Sequence, residues 1–244
     1  MKKINMTVIA VLAIVVMSGF NCNVSFPSGN SSYQGAQKEV RDVAKFNSIG
    51  LSMSAHVILR QGSEQKVEVE ASADDLAKTI TEVQGNTLKI KTKPGTWKVG
   101  KVTIYITIES LKSLAVSGSG SIESDGSISC DRLDMAVSGS GNINLSDLKA
   151  SELTSAISGS GNIKLSGGGT AHSHKIAISG SGNLSAENFA TENVEIGVSG
   201  SGNCRVNATE NLKAGVSGSG DVYYKGGAVV NAAVSGSGKV RSIN

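Results

Sequence analysis

Apolar and polar residues alternate along the second half of the chain, around a recurring tetrapeptide, Ser-Gly-Ser-Gly. An apolar residue stands directly before each copy, and others are common three and five positions before it and five after it. Alternate apolar positions are typical of a β-strand that buries one face. The copies recur at intervals of 18 to 21 residues, which indicates a stacked repeat. Their first serines are Ser117, Ser138, Ser158, Ser179, Ser199, Ser217 and Ser235.

The alternation continues through the tetrapeptide. Counting by twos from Val137 leads to Gly139, Gly141 and Ile143, so we expect both glycines to face inward and the serines to face outward. A tight corner leaves no room inside for a Cβ atom, and glycine tolerates unusual backbone dihedrals. Each repeat is therefore interpreted as a strand, a glycine corner, a second strand and a variable return.

This repeat predicts an all-β fold, a parallel β-helix or β-solenoid with about 20 residues per rung and a rung spacing of about 4.8 Å. The period is too short for a propeller blade and lacks the leucine-rich consensus. Residues 116–244 contain the seven regular rungs, and residues 41–244 are expected to form a single solenoid domain.

Residues 41–115 lack the tetrapeptide and predict irregular N-terminal rungs and a cap. Residues 52–59 align with 158–165 although both glycines are replaced, which indicates a degenerate first rung. Residues 73–80 predict one short helix, with acidic residues in its first turn. Strands are expected at 86–93 and 101–108. These elements are expected to cover the N-terminal end of the stack, since an uncovered sheet edge promotes aggregation.

Composition agrees with a stacked aliphatic core. The chain has 30 glycines, only 2 prolines, 39% hydrophobic residues and 4% aromatic residues. The formal net charge is +3, which falls to about +1 once Lys2 and Lys3 are removed with an export signal. Such a balance gives no electrostatic footprint for nucleic acid, so we expect no nucleic-acid partner.

The N-terminus predicts export. Residues 1–18 contain two lysines, a ten-residue apolar run and a small final residue, as in a signal peptide. That run is too short for a stable membrane anchor, so no transmembrane segment is expected in the mature chain. Residues 19–40 are polar and aperiodic and predict a flexible tether. Acylation of Cys22 is an alternative, but Phe20 and Asn21 precede it where small residues are expected.

The repeats resemble those of a known family. The matching segments are 138–143 and 158–163 (Ser-Gly-Ser-Gly-Asn-Ile), 111–116, 46–49 and 57–62. They are similar to the head GIN domain family of exported, adhesin-like bacterial proteins, and the likeness covers about residues 41–240. The resemblance implies a right-handed parallel β-helix and no enzyme activity. It provides no site residues to transfer.

The sequence predicts no catalytic residue, no metal site and no cofactor. His172 and His174 are two residues apart, but no Asp, Glu or Cys cluster accompanies them. The carboxylates of the regular rungs fall at different rung positions, so no pair is expected to converge for acid–base chemistry. Cys130 and Cys204 are expected about 17 Å apart at the strand spacing. A disulfide needs Cα atoms within about 7 Å, so no bridge is expected.

The outward side of the corners is the candidate functional surface. Two serines per rung, followed by an asparagine, predict a flat ladder of hydroxyl and amide groups. One interpretation is that these groups bond to one another and to water. The other is a regular polar surface for a repetitive ligand such as a glycan. The residues are Ser138, Ser140, Asn142, Ser158, Ser160, Asn162, Ser179, Ser181, Asn183, Ser199, Ser201 and Asn203.

Together these features predict a non-catalytic, exported cell-envelope protein that acts in adhesion or another surface interaction. Its partner would be a glycan or an envelope protein. One alternative is a structural component that self-associates through its C-terminal rung, forming a homo-oligomer. A second alternative is a carbohydrate-active β-helix enzyme. The periplasm, the outer-membrane surface and the extracellular space all remain open as locations.

Overall fold

The computed structural model describes residues 35–243 of the 244-residue chain. The predicted signal at 1–18, most of the predicted tether and Cys22 lie outside the described residues. The described part is almost entirely β-structure with one short helix, α1, at Ala73–Lys78. The first nine strands are β1 Gln37–Val40, β2 Ser48–Leu51, β3 His56–Gln61, β4 Lys66–Ala71, β5 Thr79–Gln84, β6 Thr87–Thr92, β7 Thr103–Ile108, β8 Ser113–Gly118 and β9 Ser121–Ser124. The others are β10 Ser127–Gly139, β11 Asn142–Leu145, β12 Asp147–Gly159, β13 Asn162–Gly180, β14 Asn183–Gly200, β15 Cys204–Gly218, β16 Val222–Lys225, β17 Val229–Gly236 and β18 Val240–Ser242.

The seven tetrapeptides stack in register along one parallel sheet. Ser138 pairs with Ser117 on one side and with Ser158 on the other, and the same register continues from rung to rung as far as Ser235. The strand that follows each corner stacks in the same way, for example Asn142 with Asn162. The predicted β-solenoid with a rung of about 20 residues is therefore confirmed.

The core consists of aliphatic columns that run along the solenoid axis. The residue before each corner is at most 3% exposed from Val116 through Val216, and Ile143, Ile163 and Leu184 form a second buried column after the corner. Burying one such side chain contributes about 1.5–3 kcal/mol, so the stacked columns are the main stabilising feature. Cys204 occupies the same inward column as Ile163 and is fully buried.

The two glycines of a corner serve different purposes. The second, such as Gly141, is buried as expected, and a Cβ atom there would lie 2.6 Å from the carbonyl oxygen of Gly120 in the previous rung. The first, such as Gly139, is only half-buried, and its φ of 109° lies in the region that favours glycine. A Cβ on Gly139 would also approach the Gly118 carbonyl oxygen to 2.8 Å. Contact between rungs, as well as the bend, thus excludes a side chain.

The N-terminal rungs are stacked out of chain order. Strands β2 and β3 stack on β8 and β9, with Leu51 paired with Val116 and His56 with Ser121. This agrees with the degenerate rung predicted at 52–59. On their other side β2 pairs with β6 and β3 with β7, so the β2–β3 rung lies between two rungs that follow it in sequence. After β3 the chain forms β4 to β7 on one side of the β2–β3 rung. It then continues into β8 and β9 on the other side of that rung.

Antiparallel strands cover this N-terminal end. Strand β4 pairs with β7, β1 pairs with β4, and β5 pairs with β6, all antiparallel. Helix α1 begins after Ser72, whose hydroxyl accepts a hydrogen bond from the Asp75 amide at 3.2 Å. It ends at Lys78, two residues earlier than the sequence suggests, because β5 begins at Thr79. Residues 37–40, which the sequence assigns to the tether, form β1.

The C-terminal rung is different. Strand β17 pairs only with β15, and β18 only with β16, within the described residues. Val234 is 44% exposed, whereas the equivalent valine of the preceding rung, Val216, is 3% exposed. The described chain therefore leaves the core columns uncovered at this end.

Candidate functional site

The outward side of the corners presents three parallel columns, which we call the polar face. The first serines and the second serines of the tetrapeptides form two hydroxyl columns, and the asparagines that follow form an amide column. All of these side chains are exposed except Asn203, which is half-buried. The structure thus brings all the predicted surface residues together on one side. The members are Ser138, Ser158, Ser179 and Ser199; Ser140, Ser160, Ser181 and Ser201; and Asn142, Asn162, Asn183 and Asn203.

The amide column is hydrogen-bonded from rung to rung. Asn162 Nδ2 donates to Asn142 Oδ1 at 2.9 Å, and Asn183 Nδ2 donates to Asn162 Oδ1 at 3.1 Å. Asn203 Nδ2 donates to Asn183 Oδ1 at 3.1 Å. A primary amide has two N–H donors, so each donor amide keeps a second N–H that this ladder does not use. The ladder both orders the column and leaves it able to donate outward.

The ladder continues beyond the asparagines. The Asp221 amide donates to Asn203 Oδ1 at 3.1 Å, and the Lys239 amide donates to Asp221 Oδ1 at 2.8 Å. At the other end, His56 Nδ1 lies 2.8 Å from Ser121 Oγ, in the rungs that precede Asn142. The amide column is therefore the regular middle of a longer polar strip.

The serine hydroxyls of the polar face are available for hydrogen bonds with other molecules. Among residues 35–243, the eight hydroxyls of the polar face have no side-chain hydrogen-bond partner. The corners are held instead by backbone bonds, such as that from the Ser160 amide to the Gly139 carbonyl at 2.8 Å. Each serine hydroxyl can therefore donate one hydrogen bond to water or a ligand and accept up to two from them.

A more varied column lies next to the amides, two residues further along each rung. Arg205 places its guanidinium 4.5 Å from the ring centre of Tyr223, a cation–π contact, and lies 3.9 Å from a Glu187 oxygen. Tyr223 donates its hydroxyl to Asp221 Oδ2 at 3.0 Å. Sequence inspection missed this stacking. The 18-residue spacing of Arg205 and Tyr223 would have revealed it, since it equals the local period.

On the opposite side of the first hydroxyl column runs a shallow apolar groove that sequence inspection missed. Its floor is the outward position two residues before each tetrapeptide, which always holds alanine or glycine. The groove has a volume of about 700 Å³. The floor residues are Ala156, Ala177, Gly197, Gly215 and Ala233.

The histidines do not converge. His174 is buried, its Nε2 lies 2.9 Å from Ser155 Oγ, and burial lowers its pKa to about 3, so it is neutral. His172 faces solvent and contacts Glu192 through Nδ1 at 2.7 Å. In residues 35–243, no three His, Cys, Asp or Glu side chains come together as a metal ion would require.

Both described cysteines and the carboxylate of Glu195 have shifted pKa values. Cys130 and Cys204 are free thiols, and burial raises the pKa of Cys130 to about 11 and that of Cys204 further. Glu195 has a pKa below its usual value because Lys213 Nζ donates to it at 2.9 Å. Its carboxylate is thus ionised and paired with a lysine of the next rung.

No helix among residues 35–243 is long and apolar enough to span a lipid bilayer.

Fold and surface together define a β-solenoid that displays a periodic polar face. A family model described as "Putative auto-transporter adhesin, head GIN domain" matches residues 45–228, and the chain belongs to this family. This confirms the resemblance seen in the sequence. A comparison with curated proteins gives no match.

Solved structures share the fold. A crystal structure described as a "putative adhesin" from Bacteroides fragilis NCTC 9343 has a TM-score of 0.80 and 25% identity, covering 86% of this chain and 98% of the other. A second "putative adhesin", from Parabacteroides distasonis ATCC 8503, has a TM-score of 0.67 and 26% identity, covering 85% and 97%. A "putative lipid binding protein" from the same strain has a TM-score of 0.72 and 23% identity over 86% and 97%, which shows the fold alone.

Proposed function

We propose that the protein is an exported, non-catalytic adhesion module that binds a repetitive ligand, such as a glycan, through the polar face. The family description and the two relatives described as adhesins support a surface interaction. We infer a repetitive ligand because identical side chains repeat in register along the polar face, at the rung spacing of about 4.8 Å. A ligand with a regular chemical repeat could make the same contact on several rungs.

Each group has a defined part in this interaction. The serine hydroxyls donate and accept, and the second N–H of each asparagine donates, which suits the hydroxyl groups of a sugar chain. The amide ladder fixes the asparagine side chains before a ligand arrives, so less conformational entropy is lost on binding. Arg205 and Tyr223 supply a flat cationic and aromatic surface near the C-terminal end of the face.

The energetics favour binding through many weak contacts. A neutral hydrogen bond contributes about 0.5–1.5 kcal/mol net, so one rung alone holds a ligand weakly. The face has few aromatic residues that could stack on sugar rings. Affinity would therefore depend on the number of rungs engaged, and long glycans would bind better than short ones.

A glycan-array screen of the mature chain tests this proposal. Wild-type protein is expected to bind a subset of repeating glycans, with a signal that grows with glycan length. The double variant Ser160→Glu, Ser181→Glu introduces charge on the polar face, and binding should fall about tenfold or more, equivalent to about 1.4 kcal/mol.

The double variant Ser127→Glu, Ser151→Glu is the matched control, because both serines are exposed but lie on the return side of the rungs. It should bind like the wild type. Absence of glycan binding by the wild type, or equal loss in both double variants, would contradict the polar face as the ligand site.

The proposed location is the cell envelope or its exterior. Cell fractionation should recover the protein outside the cytoplasm, and deletion of residues 1–18 should retain it inside. If Cys22 carries a lipid, Cys22→Ala will move the protein from the membrane fraction to the soluble fraction. Equal distribution of the deletion variant and the wild type would exclude the predicted signal.

A further inference from the structure

The outer edge of β17 is an unpaired sheet edge at the C-terminal end of the described molecule. Strand β17 uses one edge to pair with β15, from Asn211–Val229 to Gly218–Gly236, and no described strand pairs with its other edge. A free edge of eight residues presents a row of backbone donors and acceptors that can template another strand.

The inward-facing apolar side chains of β17 are exposed, which indicates that another polypeptide segment covers them. Inward positions of β17 lack the second neighbouring rung that β15, the preceding strand of the same stack, has. Val234 is 44% exposed against 3% for Val216, and Ala232 is exposed whereas Ala214 is 2% exposed. The column that stabilises the solenoid thus ends in apolar surface.

The edge also lacks the protection that isolated sheets use. Exposed edge strands usually carry lysine, proline or inward-pointing charge, which prevents pairing with another molecule. Residues 226–238 contain no charged residue and no proline. Two copies of this strand could lie side by side without like charges facing each other along it.

The opposite end of the solenoid is a poor match for the β17 edge. The rung of β6 and β7 is already paired antiparallel with β5 and β4, and β1 extends that cap. Strands β1 and β5 of this cap each pair with one strand only, but both carry charge, Lys38 and Glu39 in β1 and Glu82 in β5, so they match the uncharged β17 edge poorly. The surface that matches an uncharged free edge is the same edge of a second copy, and contact between identical surfaces produces a closed two-fold dimer.

We propose that two copies of this chain pair through the outer edges of their β17 strands, antiparallel about a two-fold axis. The pairing joins the two sheets into one and covers Val230, Ala232 and Val234 of each copy. It goes beyond the adhesion function, which requires only a single polar face. Its consequence is a particle with two polar faces, which increases avidity for a ligand that can reach both.

The oligomeric state of the mature chain in solution tests the pairing. Light scattering after gel filtration should give twice the mass of one chain. The variant Ala232→Lys, Val234→Lys places charge on the exposed inward positions, where a monomer tolerates it and a joined sheet does not. This variant should have the mass of one chain and an unchanged β-sheet circular dichroism spectrum.

The matched control is Ala156→Lys, Ala177→Lys, which adds the same charge at exposed outward positions of inner rungs. It should remain dimeric. A wild type that has the mass of one chain, or an Ala232→Lys, Val234→Lys variant that stays dimeric, would overturn the proposal. So would a monomeric wild type that dimerises after deletion of residues 1–34, since that segment would then be the covering element.

Cross-linking provides a second measurement that does not depend on the charged variants. In an antiparallel two-fold pair, one residue of β17 faces its own copy at a Cα separation of about 4.5–5.5 Å, within reach of a disulfide. Among the single variants Asn231→Cys, Ala232→Cys and Ala233→Cys, at least one should form a covalent dimer on mild oxidation. Ala177→Cys should not. Equal cross-linking of all four would contradict the pairing.

Discussion

The corner of the β2–β3 rung and the regular corners bend the chain at the same place with different residues. Met53 and Ala55 occupy positions that are glycine in each tetrapeptide, yet both are buried, at 5% and 7% exposure. Within residues 35–243 no residue other than glycine has a positive φ, so Met53 bends with ordinary dihedrals. A bend at this place can therefore form without glycine, but only with backbone dihedrals that differ from those of the regular corners, where the first glycine has a positive φ.

The neighbours explain the difference. A regular corner stacks on another corner, and a Cβ on Gly161 would overlap Val137 Cγ1 and the carbonyl oxygen of Gly141. On the far side of residues 52–55 the adjacent rung has the long connection between β6 and β7 instead of a corner. Side chains fit at the end of the stack, and glycine is needed where corner meets corner.

The largest expected effect comes from exchanging the two kinds of corner residue. Gly161→Ala should destabilise the protein by about 3 kcal/mol, because the new methyl group overlaps the preceding rung. The reverse change in the degenerate corner, Ala55→Gly, should cost about 1 kcal/mol, for one lost methyl group and a more flexible backbone. Urea unfolding followed by circular dichroism measures both. Equal losses would contradict stacking as the reason for glycine.

The next effect concerns the buried His174 of the regular rungs. Burial lowers its folded-state pKa to about 3, whereas the unfolded chain titrates near 6.5. The unfolded state therefore takes up a proton as the pH falls below about 6.5 and the folded state does not. From pH 7 to pH 5 this should reduce the free energy of unfolding by about 2 kcal/mol.

His174→Leu should remove this part of the pH dependence. Chemical unfolding at several pH values compares the variant with the wild type. A His174→Leu variant that loses stability with acid as steeply as the wild type would show that His174 does not control the acid sensitivity.

A smaller loss of stability is expected where a corner glycine has a positive φ but no close contact with the neighbouring rung. Gly118 has a φ of 115°, but nothing lies within 4 Å of a Cβ placed there. Gly118→Ala should thus cost only the backbone strain, about 1–2 kcal/mol. A loss as large as that of Gly161→Ala in the same urea experiment would show that strain alone, without contact between rungs, accounts for the glycines.

The smallest effect is expected in the amide ladder. Asn183 donates to Asn162 and accepts from Asn203, so Asn183→Ala should cost about 1 kcal/mol. Asn142 makes one ladder bond at the end of the row, and Asn142→Ala should cost about half as much. Thermal unfolding resolves the two values when they are measured side by side. A greater loss at Asn142 would argue against a continuous ladder.

Much of the regular region could be predicted because its structure repeats the sequence period. The spacing of Ser138 and Ser158 sets the register of whole rungs, and the alternation from Val137 to Ile143 separates inward from outward positions. The same logic placed the polar face on one side. The role of that face in ligand binding stays a prediction.

The N-terminal region was less predictable because its pairing depends on distant contacts. Strands β6 and β7 were expected from their composition, but nothing local indicates that they lie on the far side of β2 and β3. Strand β1 is exposed at all four positions and has no apolar alternation, so its sequence does not differ from a tether. Its partner, β4, determines its structure.

Some features of the regular rungs were also missed. Both glycines were expected to face inward. The structure shows in addition that Gly139 has a positive φ and that its backbone lies close to that of Gly118. The apolar groove escaped notice because its floor residues are small and lie on the polar side of the strands. Comparison of outward columns, in addition to inward ones, would have identified it.

The distance between copies of the tetrapeptide tests the stacking most directly. Spin labels on Ser117→Cys paired with Ser199→Cys, Ser217→Cys or Ser235→Cys, with native cysteines replaced and labelled protein diluted in unlabelled protein, measure it by electron double resonance. At about 4.8 Å per rung, the three distances should be about 19, 24 and 29 Å, increasing by one rung each time. Distances that do not increase with the copy number would contradict the stacked solenoid and the periodic face built on it.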